Sequence, residues 1–347
     1  MKKQIALGIT AVMVLYLFIK KPTSLLLGAA RGMMLCYEVV IPSIFPFTVL
    51  ALIIFNSNVL NFTHKVIAKI SYALFGLSSH AFIALIMSFL GGFPVGARLV
   101  SNLYETELIT DKTAVRMLYY TVNPAPAFLI IAVGEVMLNS KAFGTVLYLS
   151  NITASLLICF IMSFYEKSEP KILKTVSRKR ESACEIFVNS VTEAATSIIS
   201  VCGFVILFSS LSEVLKTVLT FKFSEYIISL TEISQGAPLV AKNVIFLSFL
   251  TGFSGFCVHF QVLSVAKKIK INYLKFCTAR IINGGLTAVI AFFITNVFKI
   301  TLPAMVAETL TFKTGAKSLA LSAMLIFMSM TLIISVKQKY VDKNKIL

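Results

Sequence analysis

The sequence predicts an all-α polytopic membrane protein, with about eight to ten apolar segments in two duplicated halves that each carry a helix broken by glycine or proline. Three observations predict it. Apolar residues make up 57% of the chain and charged residues only 14%. A soluble domain carries roughly 25% charged residues, so this chain lacks the polar surface to cover a globule in water. The apolar residues also gather in blocks such as 5–19, 81–100, 145–164, 244–265 and 319–336. Several reach the ~20 residues that a helix needs to cross ~30 Å of hydrocarbon, where every backbone amide must be satisfied within its own segment. Finally, Ser88-Phe89-Leu90-Gly91-Gly92-Phe93 recurs 160 positions later as Ser248-Phe249-Leu250-Thr251-Gly252-Phe253.

Met1-Lys2-Lys3 and the apolar run behind it have the form of a signal peptide. Lys20 and Lys21 end that run with no convincing cleavage site, so residues 1–21 read as an uncleaved first membrane helix. The first half follows over 22–165. It opens on a long apolar segment, 32–55, with Glu38 inside it and Pro42, Ser43 and Pro46 just beyond. The broken helix comes next, then a helix carrying Asn123, then the apolar blocks 127–137 and 145–164. Lys167, Lys171, Lys174, Arg178, Lys179 and Arg180 make 166–182 a basic linker. The second half, 183–298, repeats the order, with Glu193 ahead of Thr196, Ser197 and Ser200, a second break, and a helix carrying Asn283. The register holds without gaps, Leu103 meeting Leu263 and Asn123 meeting Asn283. Residues 299–347 supply a last membrane helix and a basic tail.

Two topologies are open. If every long block spans fully, about nine helices result, the halves run parallel, and Lys and Arg favour one side by about two to one. If 32–55 and 188–211 are re-entrant hairpins bent at 42–46 and 196–200, the halves are inverted and the charge bias nearly vanishes.

The formal charge of +17 does not indicate nucleic acid, because the Lys and Arg lie between the apolar blocks and at the chain ends, where they meet anionic lipid headgroups. The six cysteines are scattered with no Cys/His ligand spacing, which leaves neither a metal site nor a disulfide framework, and no cofactor is implied. There is no Walker A motif, no GxSxG and no HExxH, and the histidines are His64, His80 and His259 alone. The chain is not read as an enzyme.

The stretch Gly91-Gly92-Phe93-Pro94-Val95-Gly96-Ala97-Arg98 cannot continue a regular helix. Half-helices meeting at Gly92, Pro94 and Gly96 would aim free N–H groups at the occupant of a cavity, and Arg98 adds a fork suited to a carboxylate. The structural alternative is close packing on the glycines, with Arg98 reaching for the interface. The second break offers Gly252, Ser254 and Gly255. His259 is either a proton-linked switch or a satisfied hydrogen-bonding residue, and Gln261 is a donor for a polar solute. Asn123-Pro124 and Asn283-Gly284-Gly285 are each expected to break their helix and free carbonyls for a solute or cation, with plain kinking as the alternative. Glu38 and Glu193 are ionisable groups inside apolar segments, unless those segments begin later and leave both interfacial. Repeats interrupted at corresponding places are most often secondary transporters.

The residues 88–127, with GGFPVGARLV and TVNPAPAF, resemble the sporulation integral membrane proteins of the YlbJ type, and SFLTGFSGFCVHFQVLSV is similar to the matching part of their second half. The resemblance implies two nucleoside-recognition Gate domains, a kind of segment also found in concentrative nucleoside transporters and ferrous-iron transporters. It implies a place in endospore formation, moving dipicolinate across the mother-cell-derived membrane toward the forespore. The expectation is a multi-pass carrier in a bacterial cell membrane, with a site where the two breaks face each other near the midplane. Its partners are a small organic anion and membrane lipids, and a homo-oligomer is left open. The alternatives are a carrier of nucleosides or other neutral solutes, read by Asn123, Asn283 and Gln261, and a non-transporting assembly factor for the spore envelope.

Overall fold

The computed structural model describes residues 2–57, 68–165 and 182–300. The basic run 166–180, the apolar block 319–336, the Lys-rich tail and His64 lie outside them. Helix α1 (Lys2–Lys20) is followed by α2 (Pro22–Leu35), a π-helical turn (Cys36–Val40) and α3 (Ile41–Asn56), the last three continuous as one 35-residue apolar span. Next come α4 (Ala68–Phe75), α5 (Ser79–Gly91), α6 (Phe93–Glu105) and α7 (Asp111–Tyr120). A π-helical segment (Ala127–Met137) and α8 (Lys141–Tyr165) complete the first half. The second half holds α9 (Ala183–Val218), the short α10 (Ser224–Ser229) and α11 (Ile233–Leu239), then α12 (Val244–Phe253), α13 (Gly255–Val265) and α14 (Tyr273–Val297).

Local chemistry sets the starts. Ser78 and Thr110 accept the N–H groups of Ala81 and Thr113 ahead of α5 and α7, and Ser182 with Glu185 closes a reciprocal capping box on α9. Among the described residues five helical stretches are long and apolar enough to cross a membrane: 22–56, α8, α9, α12 with α13, and α14. Helices α4 and α5 meet at 80° and make a sixth if they count as one span. The multi-pass all-α expectation is met. Apolar side chains such as Leu7, Ile9, Leu274 and Phe293 stay exposed, as a lipid-facing surface requires.

Neither sequence topology is adopted as drawn. The two long segments are not hairpins. Pro42 follows directly on the π-helical turn, which loosens the ladder that Pro42 and Pro46 would otherwise disrupt. Thr196 bonds back to the Thr192 carbonyl at 2.9 Å, and α9 runs unbroken from Ala183 to Val218. The sharp bend falls instead at Gly76, with φ of 58°, between α4 and α5.

The long helices of the two halves pack against each other. Gly28 lies against Ser210, Gly32 against Ile206, and the Cys36 Sγ donates to the Cys202 carbonyl at 3.8 Å, so α2 and α9 run antiparallel. A Cβ on Gly28 would come to 2.6 Å from the Ser210 Cα; small residues let these two backbones touch. By contrast α6 and α13 point the same way, with Ser101 Oγ 3.5 Å from the Val265 carbonyl and Glu105 paired with Lys268 at 2.7 Å. The block 81–100 is two helices, α5 and α6, divided at Gly92.

Candidate functional site

At the first break Gly92 takes φ of 84°, and its N–H closes α5 on the Ser88 carbonyl at 3.2 Å. Pro94 lies in the first turn of α6. The non-helical stretch 121–125 lies directly on this turn: a Cβ on Gly92 would come to 3.0 Å from the Ala125 Cβ, and one on Gly96 to 1.9 Å from the Thr121 carbonyl oxygen. Gly92, Pro94 and Gly96 are therefore buried in protein, as broken backbone at membrane depth must be.

The second break falls two positions later in the repeat. Ser254, with φ of 77°, and Gly255, with φ of 75°, interrupt the helix between α12 and α13. The first amides of α13 are already used, Phe256 donating to the Leu230 carbonyl at 2.8 Å and Cys257 to that of Thr231 at 2.9 Å. Arg280 of α14, fully buried, donates Nη2 to the Gly252 carbonyl and to Ser254 Oγ at 2.8 Å, and Nη1 to the Tyr119 carbonyl at 3.5 Å. His259 is buried within an aromatic wall of Phe253, Phe256 and Phe276, its Nε2 3.0 Å from the Phe253 carbonyl. The Gln261 amide donates to Cys257 Sγ at 3.2 Å.

The two repeat asparagines are joined. Asn283 donates to Ser155 Oγ at 3.0 Å, and Ser155 donates to the Asn123 amide oxygen at 2.6 Å. Asn123 in turn donates to the Tyr120 carbonyl at 2.8 Å. Asn123 breaks its helix as expected, but Asn283-Gly284-Gly285 does not, because α14 runs unbroken from Tyr273 to Val297. Glycine weakens a helix without removing an amide, whereas Pro124 and Pro126 remove two. Gly284 serves contact instead: a Cβ there would lie 2.8 Å from the Phe249 carbonyl oxygen.

Arg98 and Glu193 meet across the halves. Glu193 Oε1 accepts from Arg98 Nε and from Asn102 Nδ2 at 3.2 Å, and the pair remains partly exposed at 32% and 21%. Glu38 lines a cavity of about 430 Å³ with Pro42, Ser43 and Phe47 on one wall and Ala127 and Ile131 on the other. Both π-helical pieces thus border one cavity, and such distortions often mark functional positions. Neither described cavity is lined by a residue of either break.

Three residues were not singled out in the sequence. Arg280 carried a signal, a full charge inside a 25-residue apolar helix. Ser155 carried none, since a serine in a membrane helix is ordinary. Glu232, buried ahead of α11, accepts the Gln235 N–H at 2.7 Å; burial pushes its carboxyl up, and the bonds from Ser234 and Gln235 pull against that.

Residues 38–139 match the Gate family, described as nucleoside recognition. The chain is 24% identical to the sporulation integral membrane protein YlbJ of Bacillus subtilis (strain 168) over 316 residues, covering 78% of each chain. No solved structure matches it. The resemblance to the YlbJ type is borne out, and the Gate match falls on the first of the two expected copies.

Proposed function

We propose that this multi-pass protein, similar to YlbJ and carrying a Gate segment, is a secondary transporter of a small organic anion, with dipicolinate as the first candidate. The observation that carries the reading is the Arg98 guanidinium. It stands one turn and a half beyond a broken helix, partly exposed, and already holds a carboxylate. Duplicated halves around broken helices are the arrangement of many secondary transporters, in which one site faces either side of a membrane in turn. In this reading Arg98 takes one substrate carboxylate and Asn102 assists it. The polar groups of the second break (Ser254, His259 and Gln261), with Asn123 and Asn283, become available to the solute only when the halves move. The relative's name supplies sporulation, and this reading puts the place of action at the membrane around the forespore.

The test is uptake of labelled dipicolinate into proteoliposomes. Saturable uptake is expected from the wild type, and Arg98→Ala should lower it by about a hundredfold or more while the protein remains folded in the membrane. Wild-type rates in that variant would remove Arg98 from the site. A nucleoside carrier is the second reading, favoured by the Gate description and by the amide-rich Asn123–Ser155–Asn283 bridge. Loss of uptake on adding excess nucleoside would decide for it.

A further inference from the structure

The contact between α6 and α9 is one that a solute can imitate. Two donors on α6, Arg98 and Asn102, converge on a single carboxylate oxygen of Glu193. A carboxylate-bearing solute would present the same oxygen to the same donors. Both charged side chains are partly exposed, so a solute can reach them. A part-exposed ion pair contributes little to stability, so it yields to a competitor with equal chemistry.

The position of the pair gives the competition a consequence. Arg98 and Asn102 belong to the first half and Glu193 to the second, so opening the pair loosens one half from the other. The far end of α9 repeats the device with the halves still joined, Glu213 being held by Arg31 of α2 at 2.6 Å and by Lys216 at 3.0 Å. Glu193 and Glu213 are about 30 Å apart along α9, close to the thickness of the hydrocarbon. The two pairs therefore tie the halves together near opposite faces.

We propose that Glu193 is a built-in competitor for the substrate carboxylate, so that loading Arg98 with substrate releases α9 from α6. This rests on the anion reading above and adds a residue that sets affinity without being needed for binding. Apparent affinity is reduced by the fraction of protein in which Glu193 occupies Arg98.

The experiment is equilibrium binding of labelled dipicolinate to the purified full chain. Wild type is compared with Glu193→Gln, Arg98→Gln and, as a control on the same helix, Glu213→Gln. The amide in Glu193→Gln keeps an acceptor for Asn102 and removes the charge that competes. Binding is expected to tighten about tenfold in Glu193→Gln, to vanish in Arg98→Gln and to stay unchanged in Glu213→Gln. If wild type binds through Arg98 but Glu193→Gln is no tighter, the competition is wrong and the anion reading survives. Equal tightening in Glu213→Gln would also overturn it, because the effect would then be one of overall charge. Absence of binding in the wild type and in Glu193→Gln would sink the anion reading itself.

Discussion

At the first break the chain turns on Gly92 and is held by contact: the 121–125 stretch fills the space that side chains would need at Gly92 and Gly96. At the second it turns on Ser254, a residue with a side chain in a left-handed conformation, and is held by hydrogen bonds from Arg280. The two places are equivalent in the repeat, but the burden of holding them falls on different groups. Where backbone packs on backbone, no buried charge is needed, and the cation of the first break, Arg98, stands at the contact between halves. Where a serine must be kept at positive φ, a buried guanidinium is spent on the break itself. The cation of the first break is thus partly exposed and paired across the halves, and that of the second is buried in the break itself.

The comparison breaks first at Gly96. A methyl group there would overlap the Thr121 carbonyl oxygen at 1.9 Å, and backbone on both sides leaves nowhere to go. Gly96→Ala is expected to cost more than about 3 kcal/mol and to abolish the monodisperse folded protein. Normal yield and an unchanged Tm would mean that the first break is not held by packing.

The next test compares the two arginines. Arg280→Met removes the donors to the Gly252 carbonyl and to Ser254, both buried. The expected loss is about 2–3 kcal/mol, read as a drop in Tm of the detergent-solubilised protein. Arg98→Met, at a partly exposed pair, should cost less than about 1 kcal/mol. Equal losses would erase the distinction between a structural cation and a functional one.

Which parts were legible follows from what each residue does to the chain. Hydrocarbon length, the 160-residue repeat and the positions of both breaks depend on local composition, and Gly91–Gly96 and Gly252–Gly255 lie where glycine and proline allow nothing regular. The direction of α9 against α2 depends on which residues meet, Gly28 with Ser210 and Gly32 with Ile206, and no single segment contains that information. The same is true of the candidate site. Arg98 was visible as a charge near a break. Its partner Glu193 was visible as a charge in an apolar segment, but that the two touch is a fact of packing between α6 and α9. The roles expected for Asn123 and Asn283 had their side chains and the freed carbonyls meeting a solute, whereas the side chains meet each other through Ser155, whose own neighbours gave no reason to notice it.

The smallest effect sharpens the asymmetry between the asparagine helices. Gly284 and Gly285 are adjacent in α14, yet a Cβ on Gly284 would crowd the Phe249 backbone while one on Gly285 would meet nothing within 4 Å. Both have helical neighbours on either side. If the pair existed to permit a break, replacing either would impair the protein. If α14 is a continuous helix and only Gly284 serves contact, Gly285→Ala should raise stability by about 0.5–1 kcal/mol, since alanine is the better helix former. Gly284→Ala should lower it, because the Phe249 carbonyl oxygen stands 2.8 Å from the added carbon. Thermal unfolding of the two variants side by side gives the answer. A rise for one and a fall for the other places the break of the second half at Ser254 alone, while a fall for both would restore Asn283-Gly284-Gly285 as a hinge that moves during the working cycle.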